Sequence, residues 1–157
     1  VVFMRTSFVA GAIGCDLFEV VNGELKFIGQ VAMGNKVVYE TTPGKKVFMA
    51  YGTAADFMLA ELAPGKTYYS IVRPNWGTGG FAPTPIRDPK GSEAQGWVSG
   101  TKLMEPDPKQ AEAWFAENKA RLQADEKLER LQGHLRIGRR SPVCHRVQPR
   151  PRRAAPR

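Results

Sequence analysis

Histidine is almost missing from this chain. Only His134 and His145 occur in its 157 residues. Nucleophilic catalysis needs a base beside the nucleophile, so residues 1–133 cannot assemble a Ser-His or Cys-His pair. Cysteine is equally scarce. Cys15 and Cys144 are the only two, and two thiols make no disulfide framework. Cys15 falls in a strand signal and reads as a buried thiol. Cys144-His145 offers two adjacent ligands without partners, short of a zinc set. No metal and no cofactor are therefore expected. No apolar run approaches the ~18 residues that cross a bilayer. The chain starts at Val1 and runs straight into a strand signal, which reads as a mature or trimmed form from which any signal peptide has been removed.

Acidic residues are absent from the last stretch. Residues 134–157 hold eight Arg, no Lys and no Asp or Glu, whereas residues 1–133 hold 15 basic and 15 acidic side chains. The net charge of +8 therefore belongs to a tail and not to a domain face. Arg, Pro and Ala dominate that tail without periodicity, so disorder is expected over 134–157.

What is present is β-rich. Val1–Arg5, Cys15–Val21, Leu25–Val31, Lys36–Thr41, Lys46–Tyr51, Phe57–Leu62 and Thr67–Arg73 each read as strands. Asn22-Gly23, between two apolar runs, is a two-residue hairpin signal, because both turn positions want positive φ. Pro43-Gly44-Lys45 and Pro64-Gly65-Lys66 repeat a Pro-Gly turn 21 residues apart. Pro74–Gly96 holds five Gly and four Pro, and prolines remove ladder donors. A long loop with at most one short strand is expected there, followed by a final strand at Trp97–Met104.

Asp107-Pro108 suits an N-cap and first helical position. Lys109 to Gln132 is rich in helix formers, with Trp114 and Phe115 on an apolar stripe suited to docking on a sheet. The expected fold is an antiparallel β-sandwich of about seven or eight strands with one C-terminal α-helix and a disordered basic tail. Its parts are a sandwich domain over 1–104, a helix over 105–133 that packs on or extends from it, and the tail over 134–157.

Candidate chemistry is thin. Gly77-Thr78-Gly79-Gly80 lacks the Gly-Lys-Ser/Thr ending of a phosphate loop. Asp16 and Glu19 fall on opposite strand faces, and Asp88 and Glu93 share the Pro/Gly stretch. All four read first as solvated surface charges, with a polysaccharide hydrolase built on Asp88 and Glu93 as a remote option. Aromatics in a Gly/Pro loop can line a shallow binding surface. The candidate ligand residues are therefore Arg73, Asn75, Trp76, Phe81, Arg87 and Trp97, although the three aromatics read first as rings that fold back to cap an open end of the sandwich or receive the helix. Tyr68 and Tyr69 alternate, so one is expected in the core and one outside.

The NG hairpin, the PGK turns, Pro64-Gly65-Lys66-Thr67-Tyr68-Tyr69 and the helix around Glu112–Lys119 resemble an uncharacterised bacterial family of small lipoprotein-type β-sandwich domains. The resemblance spans roughly Val1 to Leu131. It implies a domain of unknown function in the cell envelope, exported to the periplasm or outer membrane, with a lipid anchor outside this chain as its only tie to a membrane. It transfers no catalytic residues. The expectation is a non-catalytic binding or structural domain whose partner is a protein or other envelope component. The alternative is binding of nucleic acid or an anionic surface through the basic tail by counterion release. The tail lacks the interleaved aromatics of a stacking platform, which argues against nucleic acid.

Overall fold

The computed structural model describes residues 1–6, 13–105, 107–123 and 145–147. Among them the chain is mainly β, with two sheets and two helices. The strands are β1 (Val2–Arg5), β2 (Cys15–Val21), β3 (Glu24–Val31), β4 (Asn35–Val38), β5 (Gly44–Tyr51), β6 (Ala55–Leu62), β7 (Tyr69–Asn75), β8 (Gly80–Pro85), β9 (Lys102–Leu103) and β10 (His145–Val147). Helix α1 covers Ser92–Gly100 and α2 Pro108–Gln123. The first sheet has the order β8-β7-β1-β4-β9, the second β10-β6-β5-β2-β3.

The hairpins follow from local chemistry. Asn22 (φ 52°) and Gly23 (φ 85°) take the left-handed region that a tight two-residue turn requires. That turn fixes the β2–β3 register from Val21↔Glu24 inward. Alternation then decides which face each side chain takes. In β5, Phe48 and Ala50 join the cluster between the sheets, while Val47, Met49 and Tyr51 join another on the opposite face. The inter-sheet cluster draws Phe3, Val37, Val72 and Phe81 from the first sheet and Leu17, Phe48, Met58 and Leu62 from the second. At its centre the rings of Phe3 and Phe48 meet edge to face at 5.3 Å.

The outward faces are apolar too, and a helix covers part of each. On the first sheet, Val2, Met4 and Ile71 pack with Trp97 and Val98 of α1. On the second, Trp114 and Phe115 of α2 enter a cage of aromatic rings. Trp114 lies 5.1 Å from Phe18, 6.1 Å from Phe27 and 6.3 Å from Tyr51 between ring centroids. Helix α2 starts as its sequence directs: the Asp107 carboxylate accepts a hydrogen bond from the Lys109 amide at 2.9 Å.

Several sequence expectations are corrected. The sheets are mixed, because β1–β7, β4–β9 and β10–β6 pair in parallel. Strand β7 reaches β1 by crossing over from the other sheet, and a crossover connection permits the parallel sense that a tight hairpin does not. Pro74–Gly96 is not a long loop. Pro83 and Pro85 are accommodated because β8 is an edge strand, and Pro74 lies beyond the register that pairs β7 with β1. Trp97 is not in a strand but in α1, a second helix. Two glycines, Gly96 and Gly100, weaken its local propensity. Its docking on Met4 and Ile71 overrides that. Tyr68 and Tyr69 do alternate, but both are half-buried instead of one in the core and one outside, Tyr68 against the inter-sheet cluster and Tyr69 against the cluster that receives α1. Of the tail, His145–Val147 forms a short strand beside β6, contrary to the disorder expected there. The rest of 134–157, and the expected second half of the C-terminal helix over 124–133, lie outside the described residues.

Trp114→Ala should lower the stability of the chain by about 2–3 kcal/mol in urea unfolding, since it removes a half-buried indole from the ring cage. An unchanged unfolding midpoint would mean that α2 does not dock through Trp114.

Candidate binding site

The candidate ligand residues divide into two groups. Arg73, Arg87 and Trp97 come together around a cleft of about 350 Å³ between β7, the end of β8 and α1. The alternation of β7 turns Arg73 to the outward face, where its guanidinium lies 4.9 Å from the centre of the Trp97 ring. Such stacking holds a flexible cation in one place while its N–H groups still point outward. Trp97 is itself fixed by packing on Met4 and Ile71. Helix α1 is held in turn by the Thr101 hydroxyl, which donates to the Trp97 carbonyl at 2.7 Å, and by the Gln95 amide, which donates to the Pro89 carbonyl at 2.6 Å. Arg87 is exposed on the rim, as are Asp88 and Glu93.

Asn75, Trp76 and Phe81 do not join that cleft. They sit at the other end of the β7–β8 hairpin, where Asn75 pairs with Gly80. Asn75 is structural. Its side-chain amide donates to Asp56 at 3.3 Å and its oxygen accepts from the Gly77 amide at 3.1 Å. Trp76 stands 81% exposed on the turn. Phe81 is 2% exposed and belongs to the inter-sheet core, under the Arg5 guanidinium at 4.2 Å.

Arg5 is a functional-looking residue that the sequence pattern does not flag. It is fully buried between the sheets and donates to the Ile13 carbonyl at 2.6 Å. Its only sequence signal is its phase, since it shares the inward face of β1 with Phe3. Asp56 is likewise buried, accepting from the Thr78 hydroxyl at 2.6 Å. Cys15, between these charges, is pushed up by burial and stays a thiol.

Asp16 and Glu19 correct the expectation of solvated surface charge, because both are buried. Glu19 faces inward near the other end of the core. Lys46 Nζ lies 2.8 Å from its carboxylate, the Tyr39 hydroxyl donates at 2.6 Å and the Thr41 hydroxyl at 3.1 Å. Burial alone would raise this carboxyl. The donors from Lys46, Tyr39 and Thr41 more than offset it and hold the group below its ordinary range. The Tyr39 hydroxyl is raised in turn by burial and by its bond to Glu19. Asp16 points to the opposite face, where burial raises its carboxyl against the hydrogen bond from Gln30 at 3.0 Å.

A second, wider groove of about 1490 Å³ runs along the edge of β3, beside the 40–42 segment and the start of α2. Among the described residues, no group of three or more His, Cys, Asp or Glu could hold a metal ion, and no helix is long and apolar enough to cross a membrane. Comparison with known proteins finds no matching family, no matching characterised protein and no matching solved structure.

Two outcomes check this geometry. A Cβ at Gly52 would lie 2.6 Å from Cδ2 of Phe81, so Gly52→Ala should destabilise the chain by about 1–3 kcal/mol through displacement of Phe81 beneath Arg5. A fully retained melting temperature would contradict that contact. The two carboxylates of β2 should also have opposite pH signatures. Glu19 is more acidic folded than unfolded. Its stabilisation is complete above the ordinary value of 4.5 and drains away as pH falls through its lower folded value. Asp16 is less acidic folded. Its contribution is complete below the ordinary value of 3.8 and is lost as pH rises through its higher folded value. Urea midpoints measured from about pH 3 to 7 should show that Glu19→Gln flattens the acid limb and Asp16→Asn removes the opposing slope. Two variants with the pH profile of the parent would refute both assignments.

Proposed function

We propose that this chain is a non-catalytic binding domain of the bacterial cell envelope, periplasmic or held at the outer membrane by a lipid anchor outside this sequence. In this reading its two sheets stack as a β-sandwich, and its ligand is a small anionic molecule or the acidic end of an envelope component. One observation carries the proposal. Arg73, Arg87 and Trp97, far apart in sequence, converge on one cleft, with Arg73 stacked on the indole. A guanidinium so placed presents a planar fork that suits a carboxylate or phosphate. The cleft lies at the lower end of the size range of small-molecule sites. Support for the envelope setting comes from the resemblance of the PGKTYY strand and the Trp114–Phe115 helix to envelope domains. The absence of histidine from residues 1–133 favours binding over nucleophilic chemistry.

A galacturonic acid dimer, titrated against the full chain, is a suitable probe, with tryptophan emission as the readout. Arg73→Gln and Arg87→Gln should each weaken its binding about tenfold, whereas Trp76→Ala should leave it unchanged. The dimer should be recovered uncleaved. Equal affinity of the parent and the Arg73 variant would rule out this cleft. Cleavage abolished by Asp88→Ala with Glu93→Ala would replace binding with hydrolysis. Recovery of the native protein in the cytoplasmic fraction would remove the envelope setting.

A further inference from the structure

The wider groove, which the anion cleft does not use, combines three features. The first is an open strand edge. Among the described residues, β3 is hydrogen-bonded on one side only, to β2. The two-residue turn makes Val21↔Glu24 the closing hydrogen-bonded pair of the hairpin, and pairs alternate from there. Leu25 and Phe27 therefore aim their backbone N–H and C=O groups away from β2 and into the groove.

The second feature is a set of apolar side chains beside that edge. Leu25 and Phe27 are half-buried against the second sheet, and Phe115 of α2 packs on Phe27 at 5.9 Å. They offer half-buried surface for alternate side chains of an added strand. The third is charge. Glu24, Glu40 and Glu112 are exposed around the groove. Of the two lysines that line it, Lys46 is committed to Glu19 and Lys26 lies over the Tyr39 ring at 5.5 Å. The rim is thus acidic on a chain whose net charge is +8.

We propose that the β3 edge is a docking site for an extended peptide of alternating basic and apolar residues, bound by strand addition. Backbone hydrogen bonds to Leu25 and Phe27 supply the register. The apolar side chains rest on Leu25, Phe27 and Phe115, the basic ones meet Glu24 and Glu40 on the other face of the added strand, and Glu112 adds negative potential from the α2 side. This is a recognised mode of peptide capture, in which main-chain bonds give affinity and alternate side chains give specificity. A polycation has no general attraction to a chain of net positive charge, so its binding must be local.

The test uses the full chain and the fluorescently labelled peptide Lys-Val-Lys-Val-Lys-Val-Lys, followed by anisotropy. Three comparators accompany it: the same peptide N-methylated at alternate amides, a Glu-Val counterpart, and the triple variant Glu24→Lys, Glu40→Lys, Glu112→Lys. These glutamates are exposed, so the variant should keep the parent circular dichroism spectrum. The parent should bind the basic peptide and slow hydrogen exchange at the Leu25 and Phe27 amides. The N-methylated and acidic peptides should bind at least about tenfold more weakly, and the triple variant should lose affinity by about the same factor. No binding by the parent overturns the proposal. So does equal binding of the N-methylated peptide, which would show charge attraction without strand addition, and so does undiminished binding by the triple variant.

Discussion

Both sheets of this protein carry apolar clusters on both faces, and the rest of the architecture answers to that constraint. A strand whose consecutive residues are all apolar cannot leave one face in water. In β5, Val47, Phe48, Met49, Ala50 and Tyr51 are buried in succession. Phe48 and Ala50 are satisfied by the opposing sheet, while Val47, Met49 and Tyr51 need a separate cover. Helix α2 supplies part of that cover with Trp114 and Phe115. The first sheet has the same problem at Val2, Met4 and Ile71, and α1 answers it with Trp97 and Val98. The helices are thus conditions of the sheets' stability and not appendages to them.

The space between the sheets carries charge near both ends. Arg5 and Asp56 occupy one end, and Glu19 with Lys46 and Tyr39 the other, with Phe3 and Phe48 between them. Desolvating an ion is expensive, and a buried pair contributes little net stability. A partnered buried charge does penalise alternatives. Sliding β2 by one residue would send Glu19 outward among the rings of Phe27 and Trp114 and bring Phe18 inward. The bonds that Tyr39, Thr41 and Lys46 make to Glu19 would then all be lost. The polar ends therefore fix register, while the apolar centre supplies cohesion.

The two candidate surfaces share an origin. A helix is about 10–12 Å wide, whereas five strands at ~4.8 Å spacing span about twice that. One helix cannot cover a whole sheet face. Among the described residues, the strip left beside α1 is the Arg73–Trp97 cleft, and the strip left beside α2 is the groove along β3. Both lie where a helix stops short of an edge strand, so residues that the fold does not need for its core remain available to a ligand. Arg73 and Arg87 on one side, and Glu24, Glu40 and Glu112 on the other, are such residues.

Much of this was legible locally. The Asn22-Gly23 turn, the partial alternation of β2, the strand character of β5 and β6, the Asp107 cap and the docking role of Trp114 and Phe115 all rest on short-range chemistry, which a sequence carries openly. The segment from Pro74 to Gly100 was not legible. Its prolines are tolerated because β8 falls on an edge and Pro74 beyond a register, and α1 forms because Met4 and Ile71 receive Trp97. Those are facts about neighbours distant in the chain. The ligand residues divided for the same reason. Composition singled out Arg73, Trp76, Phe81 and Trp97 together, but only the path of the β7–β8 hairpin sent Phe81 into the core, left Trp76 on the turn and brought Trp97 beneath Arg73. By itself the sequence determined that the chain is β-rich, where its tight turns lie and that residues 1–133 lack an imidazole base. The tertiary structure alone decided which charges are buried, which helix covers which sheet and which strands lie at the edges of the described sheets. Each of these depends on contacts between elements far apart in sequence, which local propensity does not encode.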